Sequence, residues 1–130
     1  MRKEEIIKYW IRLSEEDLSA MKNLYRSGNY AWSLFVGHLV IEKLLKAFYA
    51  KNVDISTPFT HNLSQIAEKS RLVLSEGQKD FLDILNTFNI QARYPDYKME
   101  FYKKCTREYS NKQIKKIKEF RIWLLKLIKK

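Results

Sequence analysis

Residues 31–51, AWSLFVGHLVIEKLLKAFYAK, run 21 positions without a proline and are dense in Leu, Phe, Val and Ala. At 1.5 Å per residue such a segment makes a helix of roughly 30 Å, the width of a small domain. Phe35, Leu39 and Leu45 fall on one face, and Val36, Val40, Leu44 and Ala47 on another. A helix that is apolar nearly all round is buried against several partners at once. His38, Glu42, Lys43 and Lys46 interrupt the stretch, so it is too polar to span a membrane. It predicts the central helix of a small all-α core.

Working outward, residues 4–26 predict a first helix. Ile6, Trp10, Leu13, Met21 and Leu24 follow a 3.6-residue period, with Asp17 inside the stripe. Ser14 and Asp17 have capping-box spacing, which would allow a break there. A carboxylate on a core-facing stripe needs a cation or donors. Lys43 or Lys46 of the central helix could supply one, making Asp17, Lys43 and Lys46 a structural polar set rather than a catalytic one. Ser27-Gly28-Asn29 is the turn between the two helices, short enough to make them an antiparallel hairpin.

Asn52 to Phe59 is expected to be irregular, with Thr60 capping a short helix that runs to Ser70. Ser75 and Gln78 form a capping box before a helix whose apolar stripe is Phe81, Ile84, Leu85 and Phe88. Ser110 with Gln113 marks the start of a last helix, lined by Ile114, Ile117, Phe120, Leu124, Leu127 and Ile128. The fold expected is therefore an all-α, five-helix up-and-down bundle resembling a four-helix bundle, one domain over residues 1–130.

Composition narrows the function classes. One cysteine, Cys105, excludes an internal disulfide framework, and no Cys/His cluster suggests zinc. The opening MRKEEIIKYW carries acidic residues and no apolar run, so it does not read as a signal peptide, and the expected location is cytoplasmic. The net charge of +10 is concentrated at one end: residues 98–130 hold 12 Lys/Arg against 3 acidic residues. Such a bias suits an anionic partner, either RNA or an acidic protein surface. The plainer alternative is a solvated helix face that keeps the protein in solution.

Residues 89–109, NIQARYPDYKMEFYKKCTREY, are the most distinctive chemically, and Pro95 predicts an irregular segment there. Tyr94, Tyr97, Phe101, Tyr102 and Tyr109 interleave with Arg93, Lys98, Lys103, Lys104 and Arg107. Aromatic rings stack bases and cations hold phosphates, although a polar protein interface has the same composition. No Gly-rich phosphate loop, H-E-x-x-H or Gly-x-Ser-x-Gly motif is present. His38 reads as a satisfied core histidine and His61 as an anchor for the connection it lies in.

The run 15–50, EEDLSAMKNLYRSGNYAWSLFVGHLVIEKLLKAFYA, then FTHNL at 59–63, then ARYPDY at 92–97, resembles the HEPN domain family. The family's E-K-x-x-K-A signature is matched by Glu42, Lys43, Lys46 and Ala47, its threonine-histidine element by Thr60, His61 and Leu63, and its R-Y-P segment by Arg93, Tyr94 and Pro95. The resemblance implies a helical bundle that forms a homodimer, binds nucleotide or RNA, and acts beside a minimal nucleotidyltransferase in a toxin–antitoxin-like pair. It implies a binding site of Arg93, Tyr94, Asp96, Tyr97 and Lys98, with Tyr97 a candidate acceptor for modification by that partner. No metal or cofactor is implied. Active members are metal-independent ribonucleases with an R-x(4–6)-H motif. Here the histidine positions after Arg93 hold Lys98, Met99 and Glu100, so no catalytic residue is assigned. The alternative is a ribonuclease with a degenerate site, built from His61 or Tyr97.

Overall fold

In the computed structural model, which describes residues 2–130, the stretch at 31–51 lies within one uninterrupted helix. This is α2 (Tyr30–Asn52), preceded by α1 (Lys3–Arg26). The turn between them places Gly28 at φ +83°, a left-handed conformation that glycine adopts without strain. Ser33 Oγ donates to Met21 O at 2.9 Å and Ser14 Oγ to Val40 O at 2.8 Å, pairings that run in opposite directions along the two helices. The hairpin is antiparallel. Ser14 therefore causes no break in α1: its hydroxyl crosses to α2 instead. The stripe of α1 that meets the core is Ile7, Ile11, Leu18, Met21 and Tyr25, with Trp10 beside it. It is rotated from the predicted one, leaving Ile6, Leu13 and Leu24 half-buried at its edge.

The remaining elements are α3 (Leu63–Lys69), α4 (Glu76–Gln91), α5 (Pro95–Lys104) and α6 (Arg107–Ile128), and no strand occurs among the described residues. There are six helices where five were expected. The additional one is α5, in the segment predicted to be irregular. Pro95 holds Tyr94 in an extended conformation, φ −89° and ψ 128°, and then occupies the first turn, where a missing N–H costs no hydrogen bond. Proline here starts a helix rather than preventing one.

Helix starts were otherwise shifted by their caps. Asn62, not Thr60, caps α3, accepting from Gln65 N at 3.1 Å, while Thr60 Oγ1 accepts from Asn62 N. The Ser75–Gln78 capping box of α4 forms as expected. On α4, Leu82 is buried in place of Ile84, which is exposed. Thr106 caps α6 by accepting from Tyr109 N at 3.1 Å, so Ser110 and Gln113 lie one turn inside the helix, both buried.

All six helices contribute to one apolar core, and α2 touches each of the other five. Phe81 meets Phe120 and Phe88 meets Tyr109, so α4 runs against α6. Lys51 Nζ, at the end of α2, donates to the carbonyls of Leu127 and Ile128 at the end of α6. These contacts give an up-down-up-down order of α1, α2, α4 and α6, with α3 and α5 in the connections. No helix among the described residues is long and apolar enough to cross a membrane.

At Gly37 α2 lies close against both α1 and α6: a Cβ there would lie 2.5 Å from Ile117 Cδ1 and 3.2 Å from Met21 Sδ. Gly37→Val is expected to cost about 2 kcal/mol through overpacking, measured by urea unfolding. Gly37→Ala should cost less, because a gain in helix propensity of about 1 kcal/mol offsets the displacement of the flexible Ile117 tip.

Candidate functional site

Two polar clusters meet along one side of α2. The first is built on its middle turns, where His38, Glu42 and Lys46 recur every fourth residue. His38 is fully buried and Glu42 nearly so. Glu42 Oε2 accepts from Lys46 Nζ at 3.1 Å, and Lys46 also lies 5.3 Å from the centre of the Trp10 ring. Glu42 Oε1 pairs with His61 Nδ1 at 2.9 Å. A buried carboxylate is tolerated because both of its oxygens face cationic or N–H donors.

His38 Nε2 donates to the His61 carbonyl at 2.8 Å, so His61 is held to α2 through both its backbone and its ring. The cluster fixes the start of α3. His38 Nδ1 is buried and has no hydrogen-bond partner within the protein. Burial pushes the His38 pKa down, which Glu42 and the His61 carbonyl oppose and the charges of His61 and Arg93 reinforce. The folded state thus holds His38 neutral, whereas the unfolded chain takes up a proton near 6.5. Below that value the unfolded state binds more protons, so stability falls as pH drops from neutral into the acid range. His38→Gln, which keeps a donor for the His61 carbonyl, is expected to flatten this slope in unfolding titrations run across pH.

Asp17 of α1 finds its cation in Lys43, at the half-buried edge of the α1–α2 seam. Lys46 takes no part in that pair: it turns to Glu42, because α2 presents positions 43 and 46 to different neighbours.

The second cluster surrounds the α4–α5 turn. Arg93 lies in that turn, is exposed, and donates from Nε to Asn89 O at 2.9 Å. Its guanidinium sits 5.8 Å from the ring centres of both Phe35, on α2, and Tyr94. Tyr94, Asp96 and Tyr97 are exposed. Asp96, in the first turn of α5, complements the helix dipole. Lys98 Nζ lies 5.6 Å from the centre of Trp32 and 5.9 Å from that of Tyr102. Those two rings, with Tyr30 and Cys105, line a cleft of about 280 Å³ at the start of α2. Of the five residues expected to form one site, Arg93 thus lies against Phe35 and Tyr94, and Lys98 against Trp32 and Tyr102.

Trp32 and Phe35, whose rings meet edge to face at 5.5 Å, join the two halves and were not among the expected site residues. Their aromatic neighbourhood with Arg93 and Lys98 depends on tertiary packing, which local sequence does not carry. Burial pushes the Cys105 thiol up to about 11, against the opposing charge of Lys104, so it is no nucleophile near neutral pH. No group of three or more His, Cys, Asp or Glu side chains that could hold a metal ion occurs among the described residues.

No curated protein and no solved structure matches the chain significantly. The family model described as the HEPN domain matches residues 7–128. That match takes in α2 with its Glu42–Lys46 turn, the His61 connection and the Arg93 turn together, and the chain belongs to the HEPN domain family.

Proposed function

We propose that the protein is a dimeric nucleotide- or RNA-binding module, one functional unit over residues 1–130, acting in the cytoplasm beside a minimal nucleotidyltransferase in a toxin–antitoxin-like pair. The observation that carries the binding reading is Arg93: an exposed arginine whose guanidinium lies against Phe35 and Tyr94, with Nε tied back to Asn89. An arginine pre-positioned in this way loses little freedom on gripping a phosphate. Tyr94 and Tyr97 offer exposed rings for stacking, and the excess positive charge of residues 98–130 adds long-range attraction for a polyanion. Tyr97 is exposed, which suits it as an acceptor for modification by such a partner. Membership of the HEPN family supports the nucleotide-related role.

Binding of a labelled single-stranded RNA, followed across a salt series, tests this reading. Affinity should fall steeply with salt. Arg93→Ala should weaken binding about tenfold and lower the log–log salt slope by about one. Wild-type protein that ignores RNA even at low salt would refute the RNA form of the proposal.

The alternative is a ribonuclease with a degenerate site. One observation favours it: an exposed histidine held by a buried carboxylate.

A further inference from the structure

A groove of about 600 Å³ lies between α3 and α4, a volume in the range of small-molecule sites. Its apolar lining is Ala67, Leu72, Leu74 and Leu82, all buried or half-buried, and none of its residues belongs to the Arg93 turn. Four charged side chains complete it: Glu68 and Arg71 from the α3 side, Lys79 and Asp83 from α4. Asp83 is already engaged, accepting from Ser64 Oγ at 2.8 Å. Lys79 makes only a solvent-exposed pair with Glu76, Nζ to Oε1 at 3.4 Å, which holds it weakly in water. Arg71 forms no ion pair among the described residues.

The second observation is the backbone at Arg71. α3 ends in a left-handed cap: Arg71 N donates to Glu68 O at 3.0 Å and Leu72 N to Ala67 O at 3.1 Å, with Ser70 at the C-cap. Such a cap needs a left-handed residue at position 71. Arg71 supplies it at φ 58°, the one non-glycine residue with positive φ among the described residues. Glycine adopts this conformation freely, whereas a Cβ there strains the chain. Arginine at this cap therefore gives up stability. What the chain gains is a cation lining the groove, facing a second weakly held cation on the α4 wall, Lys79.

We propose that the α3–α4 groove binds a small carboxylate with an apolar body, its carboxylate held between Arg71 and Lys79 and its body laid on Leu72, Leu74 and Leu82. The guanidinium fork matches the two oxygens of a carboxylate, and the ammonium of Lys79 adds a further donor. Removing an aliphatic chain from water against the leucines supplies the rest of the affinity. A compact inorganic anion would leave that apolar lining in water, so it fits less well. Glu68 and Asp83 line the same groove. The carboxylate thus belongs either to a simple fatty acid or to an apolar α-amino acid whose ammonium meets one of these two acids.

The test is isothermal titration calorimetry of the full-length protein with octanoate, 2-aminooctanoate and 1-octanol, beside urea unfolding of each variant. Wild type should bind at least one of the two acids with a Kd below about 1 mM, and 1-octanol at least about tenfold more weakly. Whichever acid binds more tightly tells a fatty acid from an amino acid as the source, and either result supports the site. Arg71→Gly should weaken acid binding at least about tenfold while its urea midpoint stays at or above that of wild type, so the loss is not one of folding. Lys126→Ala, which removes the same charge from the exposed face of α6, should bind as wild type does. Equal binding of 1-octanol, undiminished binding in Arg71→Gly, or an equal loss in Lys126→Ala would each overturn the proposal. A wild type that takes up neither acid at millimolar concentration would overturn it too. None of these outcomes bears on RNA binding at Arg93.

Discussion

Phe88→Ala should destabilise the protein by about 4 kcal/mol, the largest loss expected from any single side chain in the bundle. Phe88 is completely buried on α4, and its ring lies 5.5 Å from that of Phe101 and 6.5 Å from that of Tyr109. It therefore joins three elements, because Phe101 is the only buried residue of α5 and Tyr109 belongs to the first turn of α6. Removing the ring leaves a cavity that helices fixed by contacts elsewhere can close only in part. Urea unfolding monitored by circular dichroism gives the magnitude. A loss below about 1.5 kcal/mol would mean that α5 collapses into the space and that its seating is not rigid. Phe88→Leu, which fills most of the volume, should recover more than half of the loss.

Glu42→Ala should cost about 3 kcal/mol for a different reason. The substitution removes little apolar contact but leaves the largely buried ammonium of Lys46 without its anion and releases His61 Nδ1. Breaking one member of a buried ion pair is far more harmful than replacing the whole pair with apolar groups. The double variant Glu42→Leu, Lys46→Met should consequently be more stable than Glu42→Ala alone. Equal destabilisation in the two would show that the carboxylate acts through His61 and the α3 connection rather than through Lys46. Comparison with His61→Asn by a double-mutant cycle separates the two contributions.

Much of this fold is legible in the sequence. The length, apolar density and freedom from proline of residues 31–51 identify the central helix, and the Ser27-Gly28-Asn29 turn fixes its antiparallel partner. The Ser75–Gln78 box announces α4 because the reciprocal bonds form between residues three apart, a local event. Where the reading failed, two local signals competed. Thr106 and Ser110 are both credible caps for α6, and only burial of Ser110 and Gln113 against the core decides between them. Pro95 has two meanings, helix breaker and helix starter, and the sequence around it is too polar and aromatic to reveal a periodic stripe. Phe101 alone provides the apolar anchor that makes α5 a helix in context.

For the candidate site, the sequence names residue types, and their tertiary neighbours come only from the packing. Arg93, Tyr94 and Tyr97 are exposed together at the α4–α5 turn. The division between Arg93 on Phe35 and Lys98 on Trp32 follows from how α5 lies across α2, a distance relation of some 60 residues in sequence. The tie between His61 and Glu42 spans 19 residues and depends on the same packing. Charged positions four apart on α2 could have been found by helical spacing, but which would be buried could not.

The enclosure of α2 by every other helix has a consequence for how the molecule breathes. Amide protons in the middle of α2 can meet solvent only when the whole bundle opens, so their exchange should report the full unfolding free energy. Protons of α5, held by one buried ring and packed chiefly on α4 and α2, should exchange through a smaller, local opening. The segment that carries Tyr97 and Lys98 can thus lift and reseat while the scaffold beneath it stays shut.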